Sequence, residues 1–122
     1  ISIAPGKPTI IGRCEDVPVI GLPGHPVSTF MVLTLVVVHL VQAMKGAPCQ
    51  HIYKKTIRMA TDLRSEGGRE QYIRVKIEDD AATPVLGKSG LLNTLLHSDA
   101  IIHIPQGIEG LNKGDEVEVR LW

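Results

Sequence analysis

The chain has 122 residues, of which 43% are hydrophobic, and its 13 basic residues balance 13 acidic ones. This neutrality argues against a nucleic-acid binder that works through bulk charge, since such domains usually have a pI above about 9. It also argues against a polybasic membrane surface and an acidic disordered tail. Aromatic residues make up only 3% of the chain, so the core must be aliphatic. The two cysteines, Cys14 and Cys49, give neither a disulfide framework nor a CxxC metal site.

The chain opens on Ile1 instead of Met and enters a strand-like run at once. We therefore expect it to be a piece cut from a longer polypeptide. Reduced thiols are the default of a cytosolic protein, and no signal peptide is visible, so we expect a cytoplasmic location. Gly46-Ala47-Pro48 combines a helix stop with a proline, which predicts a boundary between residues 1–46 and 47–122.

The first part is predicted to hold two short strands and a helix. The apolar runs at 8–12 and 17–21 are typical of strands joined by a turn over 13–16. From Pro26 to Lys45 apolar residues recur at helical spacing, and proline suits the first turn of a helix. The consecutive valines at 36–38 favour a strand there, but the length of the run favours a helix.

The predicted helix is apolar on nearly all sides, a pattern typical of a helix buried on most of its faces. Thr34, His39 and Gln42 interrupt the run, which argues against a membrane span, because a span needs about 20 apolar residues. Two strands are too few to cover such a helix. We therefore expect the chain to hide it in a homodimer or a swapped arrangement.

The second part reads mainly as β-structure. Alternation of apolar and polar residues is imperfect over 52–59, clean over 71–78 and strict over 116–121, and an apolar run over 100–105 ends in proline. One or two helical turns fit residues 89–96. Several short strands close together predict a small barrel or sandwich. The expected fold class is therefore a mixed α/β fragment followed by a small, mostly-β, barrel-like domain.

The densest unusual stretch is the loop Gly21-Leu22-Pro23-Gly24-His25-Pro26-Val27-Ser28, between a predicted strand and the predicted helix. Its prolines fix the backbone and its glycine lets the chain pass close to a ligand. Free N–H groups at a helix start bind anions, and Ser28 could donate its hydroxyl, so a phosphate could dock there. A rigid turn that binds nothing explains the same residues about as well.

Two further places carry cations that could bind an anion. Lys7 lies in a stiff, proline-flanked loop, and Arg69 and Arg74 could form a patch with Lys88 and Ser89, because the arginine fork suits phosphate. Taken alone, each place is more simply explained as a solvated surface charge. The histidines have no metal-ligand spacing, and no cluster supports metal or triad chemistry.

In this order, the motifs resemble those of the molybdopterin molybdenumtransferase family, the MoeA proteins and the gephyrin E domain. Pro5-Gly6-Lys7-Pro8 resembles the family's PGKP motif, and the loop over 21–28 resembles its GLPGNPVS loop. The stretch from Gly87 to Val119 resembles the closing motif of its small β domain. The resemblance implies that the chain is the C-terminal portion of a multidomain protein. Residues 1–46 would be the last part of its molybdopterin-binding α/β domain, with two strands and a buried helix. Residues 47–122 would form its C-terminal β-barrel-like domain.

The resemblance implies an enzyme of molybdenum cofactor biosynthesis. Such enzymes insert molybdenum from molybdate into adenylylated molybdopterin and hydrolyse the adenylate with a divalent cation, Mg²⁺, whose ligands we expect outside this chain. The chain alone is therefore expected to be inactive, its catalytic residues are unknown, and a homodimer is expected. Two alternatives stay open: an oligomerisation or partner-binding module, and a molybdopterin-binding protein without catalysis.

The resemblance also implies which residues bind the cofactor. The matched positions are Lys7, Pro23, Gly24, His25, Pro26, Ser28, Arg74 and Ser89. Two positions depart from the family pattern. Ala4 stands where a basic residue often precedes PGKP, which removes a cation expected near the phosphate. His25 stands where the family usually has Asn, and it adds a titratable group.

Overall fold

The structure, a computed structural model, describes residues 3–48, 53–87 and 92–121. Within these ranges the chain forms short strands and two helices. The strands are β1 (Ile3–Ala4), β2 (Ile10–Cys14), β3 (Val17–Gly21), β4 (Lys54–Met59), β5 (Leu63–Arg64), β6 (Glu70–Glu78), β7 (Ala81–Pro84), β8 (Ala100–Ile104), β9 (Gly110–Leu111) and β10 (Glu116–Leu121). The helices are α1 (Pro26–Met44) and α2 (Leu92–Leu96).

Five strands close into a barrel in the order β6-β7-β4-β10-β8, with β8 pairing back onto β6. β4 and β7 run parallel, whereas the other neighbours in the ring are antiparallel. β1 lies parallel to β6 through the pair Ala4 and Gln71, so the start of the chain joins the barrel sheet. The expected fold class, a mixed α/β fragment with a small barrel-like domain, is confirmed.

The barrel core follows from the alternation along its strands. In β10 the side chains of Val117 and Val119 are buried, while those of Glu116 and Glu118 are exposed, because successive side chains of a strand point to opposite faces. The core is aliphatic, as the composition predicts. Its buried members are Ile57, Met59, Leu63, Val75, Ala82, Ala100, Ile102, Ile104, Val117 and Val119.

β2 and β3 form the predicted hairpin, turning through Glu15, which adopts a φ of 53°. The hairpin forms a two-stranded sheet of its own. Its apolar side chains face solvent: Ile10 is 70% exposed and Val17 is 63% exposed. Among the described residues, no hydrophobic layer covers these side chains of the hairpin.

α1 begins at Pro26, as predicted, and the three valines at 36–38 belong to it. Its middle turn, Leu33–Val37, is widened into a π-helix. There the hydroxyl of Thr34 donates to the carbonyl of Phe30 at 2.5 Å, a side-chain bond to the backbone that competes with the helix's own hydrogen bonds. Helical geometry therefore prevails over the strand preference of the valines.

Only one stripe of α1 is buried within the chain. Val27 and Met31, with Leu35 one turn further, pack against Ile101 of β8, Tyr72 of β6 and Leu95 of α2. Val38, Val41 and Met44 are exposed. The sequence predicts burial on most faces, and the structure differs because, among the described residues, the helix packs mainly against the barrel wall and α2.

α1 is long and apolar enough to be a candidate for crossing a membrane. The core helix of a soluble protein can meet the same two criteria, length and composition. The expectation of no membrane contact therefore stays a prediction. So does the division between residues 1–46 and 47–122. The helix ends near the expected junction, at Met44, and the segment that follows includes residues 49–52, outside the described ranges.

Candidate functional site

Arg74 is a buried cation on the outer wall of the barrel. It lies in β6 next to Val75, which points into the core, so its own side chain points outward. It is nevertheless only 8% exposed, because neighbouring segments cover it. Its guanidinium Nη1 donates to the hydroxyl of Thr94 in α2 at 3.0 Å.

The charge of Arg74 is not balanced by a carboxylate among the described residues. The ion pairs found there join other side chains. Burial lowers the pKa of Arg74 below its ordinary value, but an arginine guanidinium stays protonated in proteins. A buried charge without a counter-charge is unfavourable. An anion bound beside it would relieve that cost.

A cavity of about 150 Å³ opens beside Arg74. It brings the start of the chain to the barrel, because pairing of β1 with β6 places Pro5 at its wall. The backbone N–H of Val85 donates to the carbonyl of Arg74 at 2.9 Å, which holds the loop after β7 on the other side. The lining residues are Pro5, Tyr72, Ile73, Arg74, Val85, Leu86 and Gly87.

The size of this cavity limits what it can hold. Pockets for drug-sized ligands usually measure about 300–1,000 Å³, and this one is smaller. It fits a compact anionic group, such as a phosphate or a molybdate ion, and not a whole pterin. Arg74 lies at its wall with N–H groups left to donate, since a guanidinium has five and Thr94 accepts a hydrogen bond from one.

The loop at the start of α1 is rigid, as its prolines predict. The hydroxyl of Thr29 donates to the carbonyl of Pro23 and, at 3.1 Å, to that of His25. Pro23 and Ser28 are buried. His25 occupies the N-cap position, but its side chain makes no capping hydrogen bond. Packing of Val27 onto the barrel wall holds the loop beside β8.

The structure brings together part of the predicted site. Arg74 and the loop that contains PGKP meet at the cavity, through Pro5. Lys7, Gly24, His25 and Pro26 are exposed, and none of them lines this cavity, nor do Pro23 and Ser28. Ser89, together with Lys88, lies outside the described residues. The assignment of these positions to cofactor binding therefore stays a prediction.

The contact between Thr94 and Arg74 was not predicted from the sequence. A threonine in a short leucine-rich segment carries no signal of its own, and its meeting with Arg74 depends on α2 folding back over β6. Gly87 gives a second hint of this close approach. A Cβ added at Gly87 would lie 3.0 Å from Cγ2 of Thr94, so a side chain there would crowd the threonine.

The described residues do not fit the divalent cation that the resemblance implies. Among them, no group of three or more His, Cys, Asp or Glu side chains could hold a metal ion. Hydrolysis of an adenylate through Mg²⁺ therefore cannot be derived from this part of the chain. What the residues beside Arg74 can do is bind and orient an anion.

Solved structures and curated proteins resemble the chain over almost its whole length. The structure of a molybdopterin biosynthesis MoeA protein from Pyrococcus horikoshii matches with a TM-score of 0.84 and 42% identity, over 98% of this chain and 30% of that one. A Methanocaldococcus jannaschii protein named for molybdopterin biosynthesis is 32% identical over 99% of the chain and 28% of its own length. The molybdopterin molybdenumtransferase of Bacillus subtilis is 25% identical over 99% of the chain and 29% of its own length.

The chain thus spans less than a third of the length of the relatives it matches. It corresponds to their C-terminal part and is related to proteins of molybdenum cofactor biosynthesis. The family profile of the MoeA C-terminal region (domain IV) matches residues 56–122, which include the whole barrel apart from the first two residues of β4. By this match the chain belongs to the MoeA family, as the resemblance of its motifs predicts.

Proposed function

We propose that this chain is the C-terminal part of an enzyme that inserts molybdenum into adenylylated molybdopterin, and that it contributes an oxyanion-binding site centred on Arg74. One observation carries the proposal: a guanidinium only 8% exposed has no carboxylate partner among the described residues. Relatives named as molybdopterin molybdenumtransferases support the choice of reaction.

The chemistry of the substrates fits this site. Molybdate and the phosphate of molybdopterin are both tetrahedral oxyanions, and an arginine fork can donate two parallel hydrogen bonds to such a group. Burial strengthens these bonds, because charges interact more strongly away from water. Arg74 would hold and orient the anion. The proposed roles of Lys7 and Ser89 in cofactor binding, and of the loop over 23–28 as a wall of the pterin site, rest on the family resemblance alone.

Anion titration tests this site directly. Binding of molybdate and of inorganic phosphate to the chain is measured by calorimetry, for the native sequence and for Arg74→Ala. We expect Arg74→Ala to weaken binding about tenfold or more, since a charge-assisted hydrogen bond contributes roughly 1.5–3 kcal/mol. Arg58→Ala is the matched control, because Arg58 is an exposed arginine on β4. Equal affinity in the Arg74 variant, or no binding by the native chain, would contradict the proposal.

The reaction itself needs the full-length protein, because the described residues do not fit a metal site. We expect the full-length protein to release AMP from adenylylated molybdopterin when molybdate is present, and this chain alone to release none. A full-length protein that binds molybdopterin without molybdate-dependent AMP release would favour the non-catalytic alternative.

A second proposal is that the chain associates with itself. The observation that favours it is the uncovered apolar surface of α1 and of the β2–β3 hairpin, including Val41, Met44 and Ile10. Exposed apolar patches of this kind mark contact surfaces. Light scattering is expected to give a dimer, and a monomer at all concentrations would overturn this proposal without touching the anion site.

A further inference from the structure

We propose that Thr94 is a positioning residue, which holds the guanidinium of Arg74 in the orientation that binds the anion. The inference rests on the proposed function, since it assigns a role within the same site. Thr94 acts through Arg74, and it does not line the cavity.

The geometry begins with the hydrogen bond between Nη1 of Arg74 and Oγ1 of Thr94, 3.0 Å long and partly buried. Arginine has a long side chain, which loses rotamer entropy when it is held in one orientation. A partner that fixes one nitrogen of its planar fork fixes the direction of the others. The remaining N–H groups are thereby aimed before the ligand arrives, which reduces the entropy lost on binding.

Thr94 can serve as a fixed partner because α2 is itself held in place. Leu95, its neighbour, packs into the cluster formed by Val27, Met31 and Ile101. At the end of the helix the hydroxyl of Ser98 donates to the carbonyl of Leu95 at 2.8 Å. Gly87 approaches from the other side, where a Cβ added to it would lie 3.0 Å from Cγ2 of Thr94.

These contacts also connect the 21–28 loop with Arg74, two features that the sequence analysis singled out. The start of α1, which follows the 21–28 loop, touches α2 through Leu95, and α2 touches Arg74 through Thr94. The path runs entirely through packed side chains and one hydrogen bond. Thr94 thus links the position of α1 to the orientation of the Arg74 guanidinium.

The test compares three substitutions in the whole chain. Thr94→Val keeps the shape of the side chain and removes the hydroxyl, Thr94→Ser keeps the hydroxyl, and Thr56→Val is the control on an exposed site of β4. Affinity for molybdate and for inorganic phosphate is measured by calorimetry. We expect Thr94→Val to weaken binding about tenfold, and both Thr94→Ser and Thr56→Val to bind as the native chain does.

A second readout needs no ligand. Guanidinium resonances of arginine in ¹⁵N NMR report whether rotation about the Cζ–N bonds is slow, and Arg74→Lys identifies the signals of Arg74. We expect slow rotation in the native chain and in Thr94→Ser, and averaged signals in Thr94→Val. Unfolding curves of each variant show whether it folds, and Thr94→Ala, which also lacks the hydroxyl, replaces Thr94→Val if that variant does not fold.

The outcomes separate this inference from the proposed function. Loss of binding in Arg74→Ala together with native affinity and slow rotation in Thr94→Val would overturn the role of Thr94 alone. Absence of binding in the native chain, with rotation released in Thr94→Val, would overturn the anion site and leave the positioning contact standing.

Discussion

The apolar core of the barrel is buried, whereas many apolar side chains of the β2–β3 hairpin and of the outer face of α1 are exposed. Ile102 and Val75 are 1% and 0% exposed, but Ile10 and Met44 are 70% and 65% exposed. Both regions are rich in aliphatic residues, so composition does not explain the difference. The barrel strands close on themselves and supply their own second layer. Among the described residues, α1 packs on the barrel along one stripe, and the hairpin forms a separate two-stranded sheet.

The two regions therefore depend on different partners for their stability. The barrel is stabilised by contacts among its own strands. α1 is attached by a single stripe, centred on Val27 and Met31. Substitutions of matched side chains in the two regions test this difference in what stabilises them.

The largest effect is expected in the barrel core. Ile102→Ala removes a side chain that is 1% exposed, and such truncations cost about 2–5 kcal/mol in the free energy of unfolding. Ile108→Ala, at a site 40% exposed, is the control and should cost far less. Urea denaturation measures both, and similar losses at the two sites would show that the barrel is not the main source of stability.

The next effect concerns the contact between α1 and the barrel. Met31 is 0% exposed and Met44 is 65% exposed on the same helix. We expect Met31→Ala to cost about 2 kcal/mol and Met44→Ala almost nothing, as measured by thermal unfolding. A larger loss at Met44 would mean that the outer face of the helix is covered in solution.

A smaller effect is expected for a polar substitution on the outer face of α1. Val41 is 43% exposed, and surface substitutions usually change stability by less than about 0.5 kcal/mol. Val41→Ser should therefore leave the free energy of unfolding nearly unchanged in dilute solution, while Val32→Ser, at a site 0% exposed, should destabilise. A loss at Val41 that grows with protein concentration would instead support self-association.

The smallest effect appears only in alkali. Burial and the nearby Glu70 raise the pKa of Tyr72 above its ordinary 10.0, against an opposing effect of Arg120. The unfolded chain then loses this proton at a lower pH than the folded chain, so stability falls as the pH rises above about 10. Tyr72→Phe keeps the ring that stacks on His103 and should lessen this fall.

Tyr53→Phe is the control for that measurement, because Tyr53 is 80% exposed. Urea denaturation at neutral pH and at two alkaline values gives the comparison. An alkaline loss of stability that is unchanged in Tyr72→Phe would assign it to other groups.

Local patterns in the sequence predict much of the fold. Strict alternation over 116–121 and clean alternation over 71–78 correspond to β10 and β6, and the hairpin and the start of α1 were also predicted. β5, β7 and β9 were not predicted. β5 and β9 have two residues each and pair with each other from distant parts of the chain. β7 follows a turn in which Asp79 and Asp80 adopt positive φ, a turn type that the composition of the strand does not reveal.

The site was harder to predict than the fold. Alternation in β6 puts Arg74 on the outer face, where a cation is normally solvated, and only the distant segments that contain Thr94 and Gly87 enclose it. The family resemblance selected Arg74 without giving the reason for its burial. Lys7 and His25 were selected in the same way and lie exposed outside the cavity.

Closure of the barrel has a consequence for how the molecule meets other strands. Each of its five strands pairs with a neighbour on both sides, and β1 pairs with the start of β6, so little of the ring is left as an open edge of the kind that recruits an added strand. β2 and β3 bond only to each other within the described residues, and each leaves one row of backbone groups unpaired. Edge-to-edge pairing, whether a productive docking or an aggregation hazard, is therefore directed to the hairpin and away from the barrel.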